Sequence, residues 1–426
     1  MKATSLSRRQ FLHTTSSVAL AAPFISTHTQ AAQPSATLRL GLVGCGGRGT
    51  GAAAQALTAD SNVRLVAMAD VFSDRLQSSL QTLKAQEKIA PHLDVPEDRR
   101  FIGFDSYNQV IASGVDVVIL ATPPHFRPMH IKAAIAAGKH VFAEKPVAVD
   151  AQGVRSVLAS CEQAKRRNLS VVSGLALRYS NGFRETISRI HQGALGELLA
   201  LQANDFRGPI WVKPRQPGWT DMEYHLQNWY YFTWLSGDFN VEQHVHMLDT
   251  CSWVMRDEYP VSAIGVGGRA VRTGPEYGNI YDHHAVTYEY ATGVKLFATC
   301  RQQAGTANDI STQVIGSKGR ALISSRAFEI KGATDWRFTG KPNDPFVTEH
   351  EELLASIRNG RAINNGNYMA KSTLMAIMGR MATYTGQKVT WDQAMNSKED
   401  LSPSAYTWDA TPPKSEIGIP GVTKLI

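Results

Sequence analysis

Two stretches of this sequence hold residue types at spacings that can do chemistry. In the first, Leu38-Arg39-Leu40-Gly41-Leu42-Val43 runs straight into Gly44-Cys45-Gly46-Gly47-Arg48-Gly49. Glycines at that spacing let the chain turn tightly and bring its backbone close to a pyrophosphate. The anion then rests on the amide end of the next helix. Glycine-rich turns are common in loops, but this one leaves an apolar strand pattern and opens a helical one, the context of a dinucleotide fingerprint. The next strand pattern ends in Ala67-Met68-Ala69-Asp70. A carboxylate about 20 residues past the glycines hydrogen-bonds the adenosine ribose and repels a 2′-phosphate, favouring NAD over NADP. The plain alternative for Asp70 is a solvated turn acid, and Arg48 or Arg75 would blur the preference.

The second stretch, Gly237–Asp249, gathers Glu242, His244, His246 and Asp249. On a helix, spacings of four and three put Glu242, His246 and Asp249 on one face. On a strand, Glu242, His244 and His246 would share a face as metal ligands do. Helical spacing through Met247, Leu248 and Cys251 argues for the helix, and no metal is expected. The bland reading of both histidines is that of satisfied core residues.

The elements that must position these groups follow from hydrophobic patterning. Apolar runs at Leu38–Val43, Val63–Ala69, Val115–Ala121, His140–Ala143 and Ser170–Gly174 alternate with helical patterns at Thr50–Leu57, Ser73–Lys88, Pro128–Ala137 and Asp150–Arg167. Such alternation predicts a parallel sheet with helices on both sides. Past residue 175 a helix over Phe183–Gln192 leads to a strand over Glu197–Asp205 and a long aromatic loop. Closely spaced strands then follow at Val261–Gly267, His284–Tyr290, Val294–Arg301, Gln313–Ile315 and Arg320–Ser324, with helices over Glu349–Arg358 and Tyr368–Tyr384. The expected architecture is α/β: a Rossmann domain over 37–174, then an α+β domain over 175–426 with an open, mostly antiparallel sheet. The aromatic loop, Trp211–Trp234, holds four of the 8 tryptophans, Trp219 among them. Aromatic rings there suit stacking on sugar rings, and equally an oligomer interface or a satellite core.

The run ATPPHFRPMHIKAAIAAGKHVFAEKPVAVD, Ala121–Asp150, strongly resembles the Gfo/Idh/MocA family of NAD(P)-dependent oxidoreductases. Its most specific parts are the glycine fingerprint, Thr122-Pro123-Pro124 and Glu144-Lys145-Pro146, and the resemblance spans nearly all of the chain after the first residues. It implies a cofactor site of Gly44, Gly46, Gly47, Arg48, Gly49, Asp70, Thr122, Pro123, His125, Glu144 and Lys145. Lys145 takes the place of the lysine that faces the nicotinamide and the reacting hydroxyl. The family's acid–histidine–acid pattern picks out Glu242, His246 and Asp249, with Glu where the family usually has Asp. His246 is then the general acid/base and Glu242 its orienting partner. His244 falls where the family commonly has Gly, so it either contacts substrate or obstructs the usual pose. Arg178, Tyr179, Asp249, Trp219 and Tyr281 are assigned to the substrate pocket, with His283 a weaker candidate.

Three functions are compatible with these residues. The first is a dehydrogenase-type enzyme for a secondary hydroxyl of a sugar, cyclitol or sugar derivative, with tightly held NAD. The second is a redox-neutral NAD-dependent glycosidase working through a transient 3-keto sugar, although such enzymes replace the lysine of Glu-Lys-Pro. The third is a non-catalytic binding relative, against which Lys145, Glu242 and His246 argue. A homo-oligomer built on the open sheet is a further expectation from the resemblance.

Composition bounds the rest. The net charge of +7 comes from dispersed Lys and Arg without a dense basic tract, so nucleic acid is not the expected partner. Cys45, Cys161, Cys251 and Cys300 lie far apart without metal-like pairing and read as reduced core thiols, with a distant disulfide left open. Ser7-Arg8-Arg9-Gln10-Phe11-Leu12, a short apolar run at Val18–Ile25 and small residues at Thr29–Ala32 form a secretory signal of twin-arginine type over residues 1–32. Beyond it nothing is apolar enough for stable membrane insertion. The twin-arginine translocon is thus an expected partner, and the periplasm or exterior the expected location.

Overall fold

The first sheet is built from short runs dominated by aliphatic residues. Strands β1 (Leu38–Val43), β2 (Val63–Asp70), β3 (Arg100–Ile102), β4 (Val117–Leu120), β5 (His140–Ala143) and β6 (Val171–Ser173) pair in parallel in the order β3-β2-β1-β4-β5-β6. β4 and β6 are buried at every position, as expected when helices cover both faces. The strand order reverses between β1 and β4, which opens a crevice at their carboxyl ends. These elements come from a computed structural model that describes residues 36–426; the export signal expected over residues 1–32 lies outside the described residues.

The second sheet carries β7 (Leu198–Arg207), β8 (Ser262–Gly268), β9 (His283–Glu289), β10 (Lys295–Gln302), β11 (Asp309–Gly316), β12 (Gly319–Ser324), β13 (Phe328–Gly332), β14 (Trp336–Arg337) and β15 (Val389–Thr390). Their order is β14-β13-β12-β11-β7-β10-β9-β8-β15, antiparallel throughout except for β7 beside β10. Ile264, Val266, Phe297, Ile315 and Leu322 stand exposed on one side of this sheet. The other side packs on the helices Val245–Val254 and Gly366–Thr385.

The helix Gly366–Thr385 holds the two sheets together. Every residue from Ser372 to Thr385 is buried, as in a helix covered all round. It packs on β8 and β9 and also on the helix Ala151–Arg166 of the first sheet. Arg380 within it is 1% exposed and donates to the Val149 carbonyl at 2.8 Å while pairing with Glu399. The later helix Pro345–Arg358 returns to the first sheet, sinking Leu353, Leu354 and Ile357 beside Leu40 and Ala53.

The structure corrects the histidine stretch. A single helix was expected through Glu242 and Asp249, but one helix ends at Glu242 (Phe239–Glu242) and another begins at Val245 (Val245–Val254). The His244 amide donates to the Phe239 carbonyl, five residues back, so the ladder slips at Gln243 and His244. Strands β3, β13, β14 and β15 and the helix Ser106–Ala112 lacked a readable pattern because they are short or half-polar. All four cysteines are free and buried, as a reading of core thiols requires. Among the described residues no helix is long and apolar enough to cross a membrane.

Candidate active site

The fingerprint glycines do three different things. Gly44 sits at φ +97°, and a Cβ there would lie 2.6 Å from the Thr122 nitrogen, so the turn must hug the end of β4. A Cβ on Gly49 would lie 1.8 Å from the Gly44 carbonyl oxygen, which lets the helix Gly47–Ala59 press onto its own entry turn. A Cβ on Gly46 or Gly47 would meet no atom within 4 Å among the described residues, leaving the backbone bare toward the cleft. That helix has no side-chain cap and no acid in its first turn. Its first amides are therefore available to an anion. These residues fit a dinucleotide.

Asp70 closes the far side of the turn. Its carboxylate accepts from the Cys45 amide at 2.6 Å and the Phe72 amide at 2.9 Å, and burial pushes its pKa above the ordinary carboxylate range. It lines a cleft of about 890 Å³ together with the glycines, Arg48, Thr122 and Pro123. Such a volume is near the upper end of ligand cavities, about 300–1,000 Å³. Trp211, Lys213, Gln227 and Trp229 reach over this cleft from the aromatic loop. The Arg75 guanidinium donates to Gln227 Oε1 at 2.8 Å across it. Arg48 instead lies within 2.6 Å of Glu144 and donates to Gln55.

Lys145 stands just beyond β5 and has a different partner from Glu144. Its Nζ donates to the Glu242 backbone carbonyl at 2.5 Å and to Glu242 Oε1 at 2.8 Å, with both side chains nearly buried. Glu242 was expected to orient His246; its partner is Lys145. His246 is partly buried, and its Nδ1 has no hydrogen-bond partner. Burial, then the charges of Lys145, Arg207 and Arg48, hold its pKa well below the ordinary imidazole range. The ring is neutral at pH 7, with Nδ1 open to a hydrogen-bond partner.

Two family models match the chain: the oxidoreductase family with NAD-binding Rossmann fold over residues 38–173, and the GFO/IDH/MocA C-terminal domain over 183–322. The chain belongs to the Gfo/Idh/MocA family. It is 26% identical over 201 residues to a 2,7-anhydro-N-acetylneuraminate hydratase of Escherichia coli, a match covering 47% of this chain and half of that protein's length (50%). It is 28% identical over 294 residues to an inositol 2-dehydrogenase of Cereibacter sphaeroides, covering 67% of this chain and 74% of that one. The aldose-aldose oxidoreductase of Caulobacter crescentus shares the fold at a TM-score of 0.66 and 20% identity, covering 83% of this chain and 99% of that one.

Several residues expected at the cofactor or substrate pocket are tied up elsewhere. Arg178 grips Asp249 through two bonds of 2.9 Å and also pairs with Asp257, under the ring of Tyr368. The Tyr179 hydroxyl donates to Asn365 and the Tyr281 hydroxyl to the Gly418 carbonyl. His244 is fully buried, with Nδ1 3.2 Å from Asn240 Oδ1. In the turn at His244 the ring faces the core instead of sharing a face with Glu242 and His246. His125 faces Tyr406 of the C-terminal segment at 2.8 Å. Trp219 packs with Met222, Leu226 and Phe232 in a satellite core, where most of the loop's aromatics also lie, whereas Trp211 and Trp229 meet the cleft. His283 sits at the surface against Asp282. Among the described residues no cluster of three His, Cys, Asp or Glu side chains is placed to hold a metal.

The sequence left four residues unnoticed. Asp205 and Arg207 end β7 beside Lys145 and His246. Gln243 lies between Glu242 and Arg207. Glu349 is fully buried with no partner for either oxygen, and burial together with Glu144 pushes its pKa well up. Only a strand-end Asp-x-Arg hinted at the first two.

Proposed function

We propose that the protein is an NAD-dependent oxidoreductase acting on a secondary hydroxyl of a sugar, cyclitol or sugar derivative. The observation that carries this reading is Lys145. Of its three ammonium donors two are taken by Glu242, which leaves one for a substrate oxygen. NAD, when bound, supplies the acceptor for the hydride of the carbinol carbon. That hydride leaves only as the hydroxyl proton is removed, so the chain must hold the oxygen and receive its proton. Lys145 holds the oxygen, and neutral His246 receives the proton. The inositol 2-dehydrogenase similarity supports a polyol as substrate. Asp70 beside the Cys45 amide favours NAD, since a 2′-phosphate there would meet a carboxylate.

A second reading stays open on one observation. The relative from Escherichia coli is named as a hydratase, and adding water moves no net electrons. A redox-neutral cycle through a transient ketone, including glycoside cleavage, uses the same two groups.

The twin-arginine signal, Ser7–Leu12, is taken to export the folded chain with NAD already loaded. Support for a retained cofactor comes from contacts that brace the rim of the cleft. Trp408 of the C-terminal segment lies 5.4 Å from Phe72 and 5.0 Å from Phe104, and Arg75 is bridged to Gln227. The exposed apolar side of the second sheet favours a homo-oligomer.

One preparation tests these readings. Protein purified without added cofactor is expected to release close to one NAD(H) per chain on denaturation. Inositol or a related polyol should then raise NADH absorbance in the intact protein. Aryl glycoside cleavage without added cofactor, lost on stripping NAD, would favour the redox-neutral reading; a protein free of nucleotide would sink the retained cofactor.

A further inference from the structure

The Lys145–Glu242 pair is the start of a longer chain of contacts. With the Gln243 amide turned so that its oxygen faces the guanidinium, its nitrogen donates to Glu242 Oε2 at 3.0 Å and its oxygen accepts from Arg207 Nη1 at 2.8 Å. Arg207 Nε in turn donates to Asp205 Oδ1 at 2.5 Å. Asp205 is 1% exposed, and its Oδ2 has no partner. The series Lys145–Glu242–Gln243–Arg207–Asp205 therefore runs from the end of β5 to the end of β7, with opposite charges at both ends and a neutral amide in the middle.

Each link removes one degree of freedom from the next. A carboxylate held at one oxygen can still swing; held at both it cannot. The slip in the helix at Gln243 and His244 is what turns the Gln243 side chain toward β7. An arginine suits this place because its planar fork serves Asp205 and Gln243 at once, which a lysine's single ammonium does poorly.

We propose that Arg207, acting through Gln243, is a positioning residue that fixes the second oxygen of Glu242 and so sets where the Lys145 ammonium stands. This rests on the reading of Lys145 as the group that holds the reacting hydroxyl. Arg207 also faces His246, as do Lys145 and Arg48, so removing its charge alters that ring as well.

The test separates charge from geometry. In the NAD-loaded protein with inositol as the probe, Arg207→Met and Gln243→Leu should lower kcat by up to about 100-fold, the cost of a misplacement near 1 Å, with KM little changed. Arg207→Met should also move the His246 titration, followed by ring NMR, upward. Arg207→Lys should restore that titration and leave kcat low. Wild-type kcat in Arg207→Met, or full rescue by Arg207→Lys, would overturn the proposal. Crystal structures of wild type and Gln243→Leu provide an arm that needs no turnover. Lys145 and Glu242 unmoved in the variant would overturn it even if inositol yields no NADH, whereas that lack of turnover alone counts against the dehydrogenase reading.

Discussion

The glycine-lined cleft and the cluster around Lys145 are built from different materials. In the cleft the work falls to backbone: Gly44, Gly46 and Gly49 and the uncapped amides of the helix Gly47–Ala59. Around Lys145 it falls to long side chains from the end of β5, from β7 and from the interrupted helix, each held by the next. A backbone site is fixed once the fold forms and tolerates most neighbours. A side-chain site depends on every partner in the series.

The largest expected effect belongs to the side-chain cluster. Lys145→Met should lower kcat by about 10²–10³-fold, the usual worth of a donor aimed at a reacting oxygen, while calorimetry shows NAD binding kept. Loss of NAD binding in that variant would erase the distinction between the two regions. Gly49→Ala should do the reverse. Its Cβ would sit 1.8 Å from the Gly44 oxygen, so the turn must shift at a cost of about 1–3 kcal/mol. NAD affinity should fall about 10-fold or more, with kcat at saturating NAD nearly intact.

The smallest effect lies between the two regions. Glu349 is buried without partners near Glu144, and its pKa is raised in the fold. An acid of this kind stays protonated when folded, so stability falls as pH rises above its unfolded value. Glu349→Gln should therefore melt higher than wild type by a margin that grows as pH rises above the ordinary carboxylate range and vanishes at low pH. A constant margin would assign the effect to packing instead of ionisation.

The same division governs what could be read in advance. The parallel sheet was legible because β1, β2, β4 and β5 are mostly apolar runs, and the glycine turn because its geometry needs glycine at fixed offsets. Lys145 and Glu242 were found through motif spacing, but their pairing was not, since it depends on the slipped turn at Gln243 and His244. Nothing in a single sequence marks a helix that skips one bond. Arg178 and Asp249 carried charge of the right kind for a pocket, yet they satisfy each other in the interior. A charged pair hundreds of atoms apart along the chain leaves no local trace.

The helix Gly366–Thr385, buried at every position from Ser372 onward, has a consequence for how the molecule can open. Because it packs on both sheets at once, the sheets cannot rotate apart without unpacking its whole surface. Opening by a hinge between two rigid halves is thereby closed off as a low-energy route. The segments left to move on their own are those at the rim of the cleft, among them Trp211, Lys213, Gln227 and Trp229 of the aromatic loop.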